Sequence, residues 1–374
     1  MAGRRLRFLG VALALAACDG EGASDAGASD AATSDAGASD AAAADAGSAT
    51  ADAGPDAGAL DAGGPTDAGP PVDAALGPGA WENRAPLLQA NSECAVAELE
   101  GKIYVIGGYP SSRVTVDTVQ VYDVAMDSWR LTTPLPIPLN HTVAAAVGGR
   151  IYVIGGQGSA SGTEYLDVTL EYDPASESWR ERAPMPSPRS AMASAVIDGR
   201  IYVAGGRPPR GDDFAVYEPA RDLWTPLPPV PTQRNHLAAA AIGGRVYVAG
   251  GRFGGGFTSE VTGVLDIFDP ETSTWSSGAP MLTPRGGVNG IAVGGCFYVF
   301  GGEHATGVYQ ENEVYHAASD SWRALAPLPV PVHGVTGAGF VGGYVYAPGG
   351  GTMQGGSSGS TIHQVFRVAG TCPP

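Results

Sequence analysis

Three arginines, Arg189, Arg234 and Arg285, fall at intervals of 45 and 51 residues. Each offers the planar guanidinium fork that recognises a carboxylate or a phosphate at two points. Arg207, Arg210 and Arg252 lie among them in polar stretches, and Glu303 and His304 follow. Glu93, His141 and His236 each stand just before a run of small residues, and Glu98 lies within the first such run. These residue types allow three kinds of chemistry. Arginines can hold an acidic group, a carboxylate beside an arginine can exchange a proton with a sugar oxygen, and convergent imidazoles can ligate a metal. The elements that position the side chains decide among them.

Those elements repeat. Trp81, Trp129, Trp179, Trp224, Trp275 and Trp322 are separated by 48, 50, 45, 51 and 47 residues. Gly-Gly pairs at 107–108, 155–156, 205–206, 250–251, 301–302 and 349–350 keep the same beat. A unit of about 50 residues copied six times predicts a closed ring of β-sheets. The clearest copy runs from Asn140 to Pro184. It reads as four short strands, A to D, bounded by Gly148-Gly149, Gly155-Gly156 and Asp173-Pro174. Strand A is unusually poor in large residues, as in Ala238-Ala239-Ala240-Ala241, although alanine is a weak strand former. Sheets set radially crowd together at the axis, so strand A is expected innermost, with Tyr and Trp farther out where the gap widens.

The recurring Gly-Gly, Tyr and Trp positions resemble those of the kelch repeat, and from Trp81 onward the chain resembles a six-bladed kelch β-propeller. The fold class is therefore expected to be all-β, with four antiparallel strands per blade. The arginine typical of the repeat before strand A appears as Arg189, Arg234 and Arg285, while Asn91, Leu139 and His333 are read at that place in the other copies. Phe366 stands in the last strand C, and Pro373 occupies the place where a Trp should follow. The segment around Trp81 is thus expected to supply strand D of the sixth blade and close the ring.

In such a meander the D–A and B–C connections share one rim, the usual binding face of kelch propellers. Arg189, Arg234 and Arg285 are expected to form an arc around its mouth, either as ligand contacts or as framework residues bonded to neighbouring loops. Arg207, Arg210, Arg252, Glu303 and His304 are assigned to B–C loops of irregular length, with His141, His236 and Glu93 at D–A junctions. Glu98, on the inner wall, must reach channel water or a basic partner. No metal site is expected, because one blade intervenes between His141 and His236. No cofactor is expected either, since P-loop and Rossmann patterns are missing and no helix follows any Gly-Gly pair.

The chain begins differently. Arg4, Arg5 and Arg7 precede a short apolar run, and Leu15-Ala16-Ala17-Cys18 resembles the lipobox of bacterial lipoproteins, so residues 1–18 are expected to be a signal peptide leaving Cys18 lipidated. Residues 19–79, rich in Ala, Asp, Gly, Ser and Pro, are expected to form a disordered tether, leaving 80–374 as the propeller. Twelve acidic and three basic residues precede Ala80, so the remainder carries about −8, which argues against general nucleic-acid binding. Export permits a disulfide, and whether Cys94 pairs with Cys372 is open at this point.

The expected role is therefore an exported, lipid-anchored binding module for a protein, peptide or glycan ligand of acidic character. The alternative is an enzyme. Some exported six-bladed kelch proteins are sialic acid mutarotases, and that resemblance implies a sugar mutarotase or epimerase using Glu93 or Glu98 with an arginine.

Overall fold

The computed structural model describes residues 79–111, 113–159, 164–370 and 372. The expected signal peptide with Cys18, the expected tether up to residue 78, and Pro373 lie outside the described residues. The rest forms six four-stranded antiparallel meanders in A-B-C-D order. In the first, strand A is Cys94–Leu99, B is Lys102–Ile106, C is Val119–Asp123 and D is Ser128–Leu131.

The size gradient along each repeat becomes a wedge. Strands A line an axial channel of about 380 Å³ with Ala97, Ala145, Ala195 and Ala240 among its wall residues. The crowding is direct: a Cβ added to Gly290 of the fifth blade would lie 2.8 Å from the methyl of Ala238 on the fourth. At the outer edge all six indoles donate to backbone carbonyls of the preceding blade or its connection. Trp129 Nε1 reaches Ala85 O at 2.8 Å, Trp322 reaches Ala279 O at 2.7 Å, and Trp81 reaches Ala326 O at 2.8 Å. The large aromatic thus fills the wide end of each gap while its one polar atom is satisfied.

The ring closes as the repeat count requires. Ala80–Asn83 pairs antiparallel with His363–Arg367, with Trp81 opposite Phe366 and their ring centroids 5.1 Å apart. The sixth strand A is split. Val335–Thr336 pairs in parallel with strand A of the first blade, and Gly339–Val341 returns to its own sheet. A short hairpin, Glu303–His304 with Gly307–Val308, is added in the fifth blade.

The disulfide joins Cys296 to Cys372, fastening the C-terminal segment to the fifth blade. Cys94 remains a buried free thiol, pushed up to about 12 by burial, so it is not the partner of Cys372.

Candidate functional site

At the rim formed by the D–A and B–C connections, the chain makes a ring around the axis. One or two residues before each strand A, the residues Glu93, His141, Ala191, His236, Gly287 and Gly334 adopt the left-handed conformation, with φ from 50° to 70°. Five of the six amides donate to the carbonyl of the equivalent residue one blade back: His141 to Glu93 (2.9 Å), Ala191 to His141 (2.8 Å), His236 to Ala191 (2.9 Å), Gly287 to His236 (2.9 Å) and Gly334 to Gly287 (3.1 Å). Left-handed backbone at non-glycine residues carries strain of order 1–3 kcal/mol each, and here four such residues hold side chains over the axis.

A second layer lies above the first. The glycines of each Gly-Gly pair have positive φ, and a Cβ at Gly107 would lie 2.2 Å from Leu139 O, so no larger residue fits. The tight approach turns the next residue toward the mouth. Those residues are Tyr109, Gln157, Arg207, Arg252, Glu303 and Gly351. Each joins the chain just before a ring residue, as in the bridges Asn140 with Gln157 and Asn235 with Arg252. The two layers bound a cup of about 320 Å³, to which Arg113 and Tyr165 also contribute.

The side chains converge on the axis. His141 and His236 stand with ring centroids 5.0 Å apart and planes nearly perpendicular. Only the methyl of Ala191 comes between their positions, and in a ring of six, alternate members lie close. The expectation that the intervening blade separates them is thereby corrected. His141 Nε2 lies 3.1 Å from Glu93 Oε2. Arg207 Nη2 lies 2.9 Å from His141 Nε2 and 3.4 Å from His236 Nε2, and its Nη1 donates to Gly255 O. Arg252 Nη1 pairs with Glu303 Oε1 at 2.7 Å, while Glu303 Oε2 accepts from Gly355 N at 2.7 Å.

Asparagines fix the imidazole tautomers. Asn140 Nδ2 donates to Thr115 Oγ1 and Gln157 O, which turns its Oδ1 toward His141 Nδ1 at 2.6 Å. Asn235 Nδ2 donates to Arg252 O and Gly254 O and presents Oδ1 to His236 Nδ1 in the same way. Both rings therefore carry their proton on Nδ1 and direct the Nε2 lone pair to the axis. Burial, with the charges of Arg207 and Arg252 added, holds both imidazoles well below their ordinary value. Burial also raises the Glu93 carboxyl, against the pull of His333. Both shifts weaken the Glu93–His141 contact as an ion pair, since each disfavours the charged form of its group. Burial opposes ionisation of Glu303 too, yet His333, Arg252 and the Gly355 amide bring it below the usual carboxylate range.

The residues named from sequence divide sharply. Arg207, Arg252, Glu303, His141, His236 and Glu93 meet at the cup. Arg207 and Arg252 lie in B–C connections of unequal length, as expected, and within them both hold the fixed position after Gly-Gly. Arg189, Arg234 and Arg285 are fully buried and serve the framework of their own blades. Arg234 Nε donates to Gly250 O and Nη1 pairs with Asp266 at 2.6 Å; Arg285 repeats this with Gly301 O and Glu313 at 2.8 Å. Arg189 has no carboxylate partner of this kind: its fork meets Gly205 O, Asp213 O and the Met185 sulfur, and burial lowers it to about 10. The repeat position in the sixth blade is held by Val332 rather than His333, since Val332 O accepts from Gly302 as Arg285 O accepts from Gly251. Arg210 is exposed and faces Asp213 outside the cup, and His304 sits in the added hairpin. Glu98 lies on the channel wall and accepts from Gly101 N at 2.8 Å, apart from Glu93. Sequence reading missed Tyr109, Gln157 and His333 as site residues, although the first two are found by taking the residue after each Gly-Gly.

The family model described as the KLHDC2/KLHL20/DRC7 Kelch-repeats domain matches residues 80–251 and 186–350. Kelch-like protein 36 of Bos taurus is 51% identical over 57 residues, which is 15% of this chain and 9% of that protein. Kelch-like protein 33 of Homo sapiens is 40% identical over 58 residues, 16% of this chain and 11% of that protein. The chain thus spans about a tenth of the length of these curated relatives. The solved structure titled "Structure of YjhT" superposes with a TM-score of 0.63 at 16% identity, covering 75% of this chain and 96% of that one, a likeness of fold.

Proposed function

The chain belongs to the kelch-repeat family, and on that premise we propose that it is an interaction module whose axial cup takes the acidic group of a protein, peptide or glycan ligand. The observation that carries this reading is the uneven charge of the cup. Arg252 is matched by Glu303, and Glu93 is pushed toward its neutral acid, whereas Arg207 and Arg113 make no ion pair among the described residues. A carboxylate entering the cup meets an unpaired guanidinium already held in place by Gly255 and the two histidines, so little ordering is needed on binding. Tyr109 and Tyr165 supply aromatic wall for the remainder of such a ligand.

Calorimetry with acid-terminated and amidated peptides, and with N-acetylneuraminic acid as a glycan acid, tests the reading. Arg207→Ala should weaken the acidic probe by about 10–100-fold and leave the amidated one unchanged. Equal binding of both peptide forms, or an Arg207→Ala variant that binds acids like wild type, contradicts it.

A second reading, sugar mutarotation, is favoured by one contact, that of Glu93 with His141 at 3.1 Å beside Arg207. Proton NMR of sialic acid anomer exchange decides it, with no acceleration over buffer excluding it.

We also propose that the module is exported and lipid-anchored through Cys18, a reading supported by the disulfide between Cys296 and Cys372. Cys18→Ser should move the protein from the membrane fraction to the soluble one; unchanged membrane association refutes the anchor.

A further inference from the structure

We propose that Glu93, His141 and His236 form a binding site for one late first-row divalent cation, zinc or cobalt, with Arg207 as its displaceable cap. One donor atom from each of the three residues lies within 4.8 Å of the other two. Two imidazoles and a carboxylate are a donor set that suits these ions and leaves coordination positions open. It suits magnesium and calcium poorly, since both favour oxygen.

The surroundings have the form of a metal's outer shell. A ligating imidazole needs its other nitrogen anchored as a donor, so that the coordinating lone pair is both free and aimed. Asn140 and Asn235 do this for His141 and His236, and each asparagine is itself pinned by its amide hydrogens. Two histidines from blades two apart thus share the same support. A further buried nitrogen points inward: His333 Nδ1 has no hydrogen-bond partner among the described residues and faces Glu93 Oε1 at 3.8 Å and Glu303 Oε2 at 3.5 Å. Its Nε2 is fixed by Met353 O at 2.7 Å, so the free nitrogen is the one turned to the site.

Arg207 shows where the lone pairs meet. Its Nη2 lies within reach of both Nε2 atoms, so a positive N–H stands where a cation would. Arg207 is partly exposed and sits on a connection rather than a strand, which allows the guanidinium to turn into the cup. A cation and the guanidinium then compete for the same two lone pairs. This site does not depend on the acid-binding reading, because metal is measured with no acidic ligand present.

The test is a titration of the full-length protein, stripped with EDTA and dialysed, with Co2+ alone, followed by visible absorption. The expected result is one equivalent bound with the ligand-field bands of a nitrogen- and oxygen-ligated ion. His141→Ala/His236→Ala and Glu93→Gln should bind at least ~100-fold more weakly. Arg207→Met should bind about tenfold more tightly, since a competing positive charge is gone. Should the double histidine variant fail to fold, Asn140→Ala/Asn235→Ala keeps both imidazoles but removes their orienting bonds, together with the asparagines' own bonds to Thr115, Gln157, Arg252 and Gly254, and should cost about 10–100-fold. Zn2+ should displace the cobalt and raise the unfolding temperature of wild type, reversibly with EDTA. Absence of the bands in both wild type and Arg207→Met overturns the site, as does equal affinity in wild type and the folded histidine or asparagine double variant.

Discussion

Arg234 and Arg252 lie 18 residues apart on one blade and do opposite kinds of work. Arg234 is at the D–A junction, where an arginine recurs in three copies, and its whole fork is engaged by Gly250 O, Val248 O and Asp266. Arg252 follows the Gly-Gly pair, where the six copies carry Tyr, Gln, Arg, Arg, Glu and Gly, and it lines the cup. Both positions are fixed by the repeat. What differs is whether the identity of the side chain is also fixed. A repeated residue at a repeated place serves the blade; a varied residue at a repeated place is free to serve the ligand.

The sharpest way to break that distinction is to remove one arginine of each kind. Arg285→Ala leaves Glu313 buried without its partner and should destabilise the protein by about 3–5 kcal/mol in urea unfolding. Arg207→Ala should change stability by no more than about 0.5 kcal/mol while altering binding. Comparable stability losses in the two variants would erase the contrast.

Acid provides the next largest effect. His363 is buried in the framework, its Nδ1–H donates to Ala85 O at 3.1 Å, and burial lowers it to about 4. The unfolded chain takes up that proton near pH 6.5, so the folded state keeps this stabilisation above pH 6.5 and loses it as pH falls toward 4, by about 3 kcal/mol. His363→Gln should flatten the pH dependence of urea unfolding in that window by this amount. An unchanged slope would show that His363 does not titrate there.

A smaller loss is expected at the seam. Trp81→Phe keeps the ring against Phe366 but removes one of the two donors to Ala326 O, Asn312 Nδ2 remaining at 3.2 Å, at a cost of about 1 kcal/mol. Its counterpart Trp129→Phe, bonded to Ala85 O, should cost about the same if the seam is equivalent to the other five joints. A much larger loss at Trp81 would mark closure as a special joint.

The architecture was legible because packing repeats. Tryptophan spacing, the Gly-Gly pairs and the alanine-rich strands each follow from wedge geometry, and the unmatched Trp81 announced its pairing with Phe366. The site was only partly legible. Its members could be named, since Arg207, Arg252, Glu303, Glu93, His141 and His236 are all polar residues in connections. Their meeting could not, because it depends on left-handed ring residues that bring alternate blades together across the small Ala191. His333 was placed one residue out of phase, where only the carbonyl of Val332 bonding to Gly302 reveals the register. The pairing of Cys296 with Cys372 depends on where the C-terminal segment lies, which no periodicity encodes.

The central claim is that two histidines from separate blades share one guanidinium at the axis. Nitrogen-15 spectra of the imidazole side chains in wild type and Arg207→Ala test it most directly. Both rings should appear as neutral Nδ1–H tautomers, and loss of Arg207 should shift the Nε2 resonances of His141 and His236 together. A shift of only one, or of neither, would mean that the two imidazoles do not meet beneath Arg207.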